Sequence, residues 1–139
     1  MISINELLGK KLLLRTEPSM DKAIKSIEVS EKYLIKAKAN FKINLYDVAV
    51  LLAYSSMFHA ARALLFKEGF KERAHWAVVE YLRSRYSSEL SEPTINKLDT
   101  FRILRHSTAY GLDSETDSEE AKMMLEFAAE FIEKVKKLV

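Results

Sequence analysis

From Leu45 to Phe66 the chain reads LYDVAVLLAYSSMFHAARALLF, and this stretch decides the fold. Its apolar residues fall on most sides of a helical wheel rather than alternating with period two, so it reads as a helix buried on nearly every face. A membrane span needs roughly 20 mainly apolar residues with few or no charges. Here Asp47, Ser55, Ser56, His59 and Arg62 interrupt the run, so its expected place is the centre of a helical bundle. Asn44 is expected to cap its start and Gly69 to close its end, which bounds the helix at 45–67.

The flanking segments supply the neighbours such a helix needs. Upstream, Ala23, Ile27, Leu34, Ala37 and Phe41 recur at three-, four- and seven-residue steps, one face of an amphipathic helix over 17–41 with Pro18 in its first turn. Before it, Ile4 to Leu8 carry a short helical pattern ending near Gly9, and an apolar Leu12-Leu13-Leu14 completes an N-terminal arm over 1–16. Downstream, helices are expected over 73–86 and from Pro93 to Tyr110, with Gly111 as a stop. Residues 113–120 hold five acidic side chains and no basic one, so Asp117 or Ser118 can cap a last helix whose positive end those carboxylates suit. Met124, Ala128, Phe131, Val135 and Leu138 then line one face to the end. Short connections between helices predict one all-α domain over 1–139, an antiparallel, up-and-down bundle of four to five helices.

Composition supports this class and removes others. With 3 Gly and 2 Pro in 139 residues, there are too few turn residues for a chain of short strands. Cysteine is absent, which excludes disulfides, thiolate metal sites and a cysteine nucleophile. No Gly-rich phosphate loop occurs, and the His residues lack the spacing of a zinc or di-iron site, so neither a metal nor another cofactor is expected. A net charge of +2 is too small to argue for nucleic acid by itself, so any such case rests on local clusters. Residues 1–14 lack the basic start and long apolar run of a signal peptide, and a cytoplasmic location away from membranes is the expectation.

Two clusters qualify. At about 100° per residue, Arg102, Arg105, His106, Ala109 and Tyr110 lie within roughly 140° of one another. Two guanidiniums and an imidazole on one surface can hold a phosphate, because Arg offers its oxygens a planar fork. On the central helix, Asp47, Ser55, His59 and Arg62 lie within about 120°. Such a polar stripe must face solvent, a partner or other polar groups. The expectation is that it meets the arginine arc in one cleft; the alternative is a structural network that satisfies His59. Next to His75, Trp76 is expected to anchor the bundle or a dimer interface, with base stacking as the other reading. Tyr81 and Tyr86 are expected in the core or an interface, and Arg83 and Arg85 on a solvated face.

These same segments resemble a known family. Tyr54-Ser-Ser-Met-Phe-His-Ala-Ala-Arg-Ala-Leu-Leu65 is similar to the YYAMFHAARALL helix of small prokaryotic HEPN proteins. Gly69 and His75 fall where that branch places them, Leu104 to Tyr110 resembles its Arg-x4-Tyr segment, and Ala121 to Phe131 fits its closing helix. The likeness spans residues 20–138. It implies a helical bundle that usually dimerises and binds nucleotides or RNA. Many members are metal-independent ribonucleases using Arg-x4–6-His, while others pair with a minimal nucleotidyltransferase in toxin–antitoxin modules, where the transferase can modify a Tyr near the motif. This chain departs from the ribonuclease pattern. Five residues after Arg105 stands Tyr110 rather than His, Ala109 replaces the usual Asp, and His106 follows Arg102 one residue too soon.

The resemblance and the residues together point first to a nucleotide- or RNA-binding homodimer that works beside a nucleotidyltransferase. Arg102, Arg105, His106, Tyr110, His59 and Arg62 would hold the phosphate. The second reading is a metal-independent endoribonuclease acting through Arg105, His106 and Arg102. A dimerising scaffold without a ligand is the third.

Overall fold

The computed structural model describes residues 2–110 and 116–139, with the side chain of Tyr110 and the expected stop at Gly111 outside the described residues. Chain order is α1 (Ile4–Gly9), β1 (Leu13–Arg15), α2 (Met20–Lys42), α3 (Tyr46–Glu68), β2 (Phe70–Glu72), α4 (His75–Leu90), α5 (Glu92–Tyr110) and α6 (Ser118–Lys136). The all-α expectation holds, with a two-stranded antiparallel ribbon added at one end.

α3 occupies the centre. Ala53, Met57, Ala60, Ala61 and Leu64 are fully buried along it, and α2, α5 and α6 pack around it. By length and composition it could cross a membrane, but 61% of its apolar window is already buried inside the protein. Its small residues let α2 come close. Ser26 Oγ donates to the His59 carbonyl at 2.6 Å and Ser30 Oγ to the Ser56 carbonyl at 2.7 Å. As α2 advances four residues α3 retreats three, so the two helices run antiparallel. Each bond contributes about 0.5–1.5 kcal/mol. α3 also packs against α6, whose Met124, Ala128, Phe131 and Val135 are all buried as their periodicity predicts.

Helix ends differ from expectation at two places. Pro18 lies outside α2, which starts at Met20 because Ser19 is the N-cap and its side chain accepts from Lys22 N at 3.1 Å. Asn44 does not cap α3. It takes φ +64°, donates its N–H to Phe41 O, and lets Leu45 N reach Asn40 O, the paired bonds that close a helix C-terminus. The N-cap of α3 is instead Leu45, without a side-chain cap bond. Ser3 and Glu6 form a reciprocal capping box on α1, and Asp117 caps α6 as expected.

The N-terminal arm is built into the body. β1 pairs with β2 in the register Leu13↔Glu72, Leu14↔Lys71 and Arg15↔Phe70. Gly69 permits this junction: at φ +88° its backbone lies so close to the arm that a Cβ would stand 2.8 Å from Thr16 O. α4 runs past the expected end at 86 to Leu90, with a non-helical Tyr86 inside it. Tyr81 and Tyr86 are buried, and the Tyr81 hydroxyl donates to Glu68. Both phenols are pushed up, first by burial and then by Glu68.

Candidate anion-binding site

The ribbon sets the start of α4 against the middle of α3. Ala74, the N-cap of α4, provides no side-chain acceptor, and no acid sits in the first turn. The positive end of that helix dipole is therefore uncompensated from within. His75 opens the helix with one ring face on Phe58, at 4.0 Å between centroids and 15° between planes. Tyr54, one turn before Phe58, brings its hydroxyl within 3.3 Å of His75 Nδ1.

Charge gathers around this pair. The Arg105 guanidinium lies 5.9 Å above the Tyr54 ring. Arg102, one turn earlier on α5, contacts Asp99 Oδ1 through Nε at 2.8 Å. Burial pushes the Tyr54 phenol up to about 12, outweighing the downward pull of Arg102 and Arg105, so it keeps its proton at neutral pH. Partial burial holds the His75 imidazole below its ordinary range, and Arg105, Arg102 and Arg62 push the same way. The imidazole is thus neutral at pH 7. Where the Tyr54 hydroxyl is the donor to Nδ1, the imidazole's own proton stands on Nε2, a hydrogen-bond donor for an anion.

The expected single cleft is divided into two parts. Arg102 and Arg105 meet Tyr54 and His75. His59 turns instead toward α2, where its ring stacks on Tyr33 at 5.3 Å and 5°, and its pKa is lowered by burial, Arg62 and His75. Arg62 forms an ion pair with Glu72 and lies over the rings of Phe58 and Phe66, at 5.7 and 5.0 Å. Phe58 links the parts, since it touches His75 on one side and meets His59 edge-on at 6.0 Å. Ser55 bonds its own helix at Leu51 O, and Asp47 lines a different cavity with Tyr46 and Thr116, so neither joins the site. His106 is exposed on α5, while the Tyr110 side chain lies outside the described residues.

His75 is the residue that sequence reading underused. Its place beside Trp76 suggested base stacking, but nothing local shows that a ribbon would bring it to Tyr54. Trp76 is 38% exposed and does not anchor the core. Arg83 and Arg85 are not merely solvated: Arg83 reaches Glu80, Asp99 and Asn96, and Arg85 reaches Glu68. Among the described residues no group of three or more His, Asp or Glu is placed to hold a metal ion.

Known proteins resemble this chain in sequence. The HEPN domain profile matches residues 23–138. A protein of Archaeoglobus fulgidus named "UPF0332 protein" is 31% identical over 121 residues, covering 86% of this chain and 97% of the relative. A protein of Methanocaldococcus jannaschii named "Putative toxin MJ0605" is 32% identical over 116 residues, covering 80% of this chain and 84% of its own. A second from that organism, "Putative toxin MJ0142", is 28% identical over 138 residues, covering 98% of this chain and 87% of its own. The expected resemblance therefore holds over nearly the same span in which it was read, and the chain belongs to the HEPN domain family.

Proposed function

We propose that this HEPN protein is the nucleotide- or RNA-binding member of a toxin–antitoxin-type module, partnered by a minimal nucleotidyltransferase. The carrying observation is Arg105. Among the described residues no carboxylate lies within ion-pair distance of it, whereas Asp99 engages Arg102 and Glu72 engages Arg62. A guanidinium held over an aromatic ring, beside a neutral imidazole and an uncapped helix start, is arranged to receive a phosphate. The toxin names of two relatives support the module. The Arg105-to-Tyr110 likeness supports the transferase partner. Exposed Ile103 and Trp76, next in sequence to Arg102 and His75, support a homodimer that covers apolar surface near the site.

A thermal melt with adenosine monophosphate tests the binding reading. At ligand 100 times its Kd the gain is about 2.7 kcal/mol, which a melt resolves. No shift with mononucleotide or RNA, and no transferase gene beside this one, would sink it. The endoribonuclease is the second reading, favoured by the neutral His75 imidazole near Arg105, which suits proton transfer at pH 7 better than Tyr does. It requires RNA cleavage that survives chelator, leaves 2′,3′-cyclic phosphate ends and disappears in Arg105→Ala.

A further inference from the structure

α2 carries two seams of the same spacing, and only one of them is covered. Ala23, Ile27, Ser30, Leu34, Ala37 and Phe41 follow alternating four- and three-residue steps and face the bundle. One residue further on, about 100° round the helix, Ile24, Glu28, Glu31, Ile35, Lys38 and Lys42 repeat those steps. That is the spacing by which one helix lies along another. All but Glu31 are exposed, and Glu31 is half-covered, with Lys136 at 3.4 Å. Ile24 is 48% and Ile35 67% exposed, so this seam leaves apolar surface in water.

The charges on the exposed seam are sorted by sign. Both carboxylates, Glu28 and Glu31, precede Ile35, and both lysines, Lys38 and Lys42, follow it. Within one helix that order does not help, because like charges at such spacing repel. Among the described residues Glu28, Lys38 and Lys42 take part in no ion pair, and Glu31 only in that with Lys136. An anionic surface would suit the lysines and repel the carboxylates. A helix whose charge order runs the opposite way suits both halves, and this same seam, turned end for end, is such a helix. Glu28 stands seven residues before Ile35 and Lys42 seven after it, while Glu31 stands four before and Lys38 three after. Two antiparallel copies meeting at Ile35 therefore set Ile35 on Ile35, Glu31 by Lys38 and Glu28 by Lys42, each ion pair made twice. Lys32, on the flank of the seam, falls beside Ala39 of the second copy rather than beside a lysine. A parallel pair would set like charge on like.

The ends of the seam match in shape as well. Beside its acidic half lies a cavity of about 360 Å³ lined by Ile24, Ile27, Glu28, Glu31, Lys136 and Val139. In the antiparallel arrangement the turn after Lys42 comes opposite Ile24, and Leu45 in that turn is 47% exposed. Leu45 can enter the cavity among its three apolar side chains while Lys42 reaches its carboxylates.

We propose that the outward seam of α2 is an antiparallel, self-complementary contact between two copies of this chain, centred on Ile35. α2 packs on α3 and α6, whereas Ile103 lies on α5. This contact is therefore separate from the one near the arginines and independent of what Arg105 binds. One helix face is small beside the roughly 800 Å² that each partner gives a stable interface, so the contact forms above the micromolar range. Two self-complementary contacts on different faces of one chain join dimers into tetramers or longer assemblies.

Sedimentation equilibrium of the full chain carrying Ile103→Glu, from micromolar to near-millimolar concentration, tests the α2 contact without the other. The mass should rise from monomer toward dimer, and fall back in high salt, which screens exposed pairs. Glu28→Lys with Glu31→Lys makes the seam wholly basic, and Lys38→Glu with Lys42→Glu makes it wholly acidic. Each should weaken self-association about tenfold or more. An equimolar mixture of the two should regain it as a mixed dimer, which also shows that both variants fold. The chain has no cysteine, so Ile35→Cys offers a single thiol that a short bis-maleimide should join to its copy, whereas Ser84→Cys, exposed on α4, should stay single. The proposal is overturned by no association at any concentration, or by either charge variant associating as strongly as its parent. A mixture that stays monomeric while each variant keeps its helical signal overturns it too.

Discussion

The hydroxyl of Tyr54 and Nδ1 of His75 stand 3.3 Å apart, tying the middle of α3 to the first residue of α4. Tyr54 holds its proton at neutral pH, and we expect it to donate to Nδ1 and so favour the imidazole tautomer with hydrogen on Nε2. Tyr54→Phe keeps the ring and removes the bond. We expect about 0.5–1.5 kcal/mol lost from folding stability, by denaturant titration. Long-range ¹⁵N NMR of the imidazole should show a single tautomer in wild type and a mixture in the variant. Identical tautomers in both would show that Tyr54 does not set the donor.

The two α5 arginines are expected to differ. Arg105→Gln should weaken nucleotide binding by about 1.5–3 kcal/mol, the range for bonds to a charged group, or roughly 10- to 100-fold. Arg102→Gln should cost less, because Asp99 already engages its Nε. Asp99→Asn releases that guanidinium and should tighten binding. Calorimetry on the three variants checks the order, and equal losses at both arginines would contradict it.

Both imidazoles beside Phe58, His59 and His75, are held below their ordinary value of 6.5. The folded protein therefore takes up fewer protons there than the unfolded chain, and stability rises with pH through that window. The contribution is complete above 6.5 and is lost as pH falls from there toward the lowered folded values. The melting temperature should drop between pH 7.5 and 5.5, less steeply in His75→Gln and His59→Gln. A bound phosphate should raise the His75 pKa and recover part of the loss. A drop of the same size in wild type and both variants would show that these rings are not responsible.

Gly69 holds the ribbon against the bundle. Gly69→Ala puts a Cβ at φ +88°, 2.8 Å from Thr16 O and 3.0 Å from the Pro18 ring. Left-handed strain alone costs about 1–3 kcal/mol. The melt should fall accordingly, and amide exchange should quicken first at residues 13–15, whose partners lie in β2, and at Thr16, whose N–H bonds to Gly69 O. Unchanged protection of β1 would mean that the junction tolerates a side chain.

Ile103 is 58% exposed on α5, between the arginines. Sedimentation should report twice the 16.0 kDa chain mass at micromolar concentration, and Ile103→Glu should shift it toward monomer. A monomeric wild type removes the dimer from the proposal.

Much of the fold was legible because helices are closed by local bonds. The burial of α3 followed from its composition, the α6 face from its period, and the Asp117 cap from one residue type at one place. Pro18 and Asn44 were misread because their chemistry suits more than one position. Pro is at home just outside a helix as well as in its first turn, and Asn serves an N-cap or a left-handed C-terminus equally well. What decided Asn44 was the need of the Asn40 and Phe41 carbonyls for donors, which only the turn into α3 supplies.

The site was less legible. Spacing along α5 correctly grouped Arg102 with Arg105, since both come from one helix. Whether the α3 stripe would meet them depended on how neighbouring helices rotate about their axes, which no local signal states. His59 and Arg62 turned toward α2 and β2, and His75 took their place beside the arginines. Residue order alone determined which segments are helical and which of their faces are apolar, because backbone bonding and side-chain period act within a few residues. Only tertiary packing decided which polar side chains share a surface, because the ribbon that delivers His75 pairs strands more than fifty residues apart.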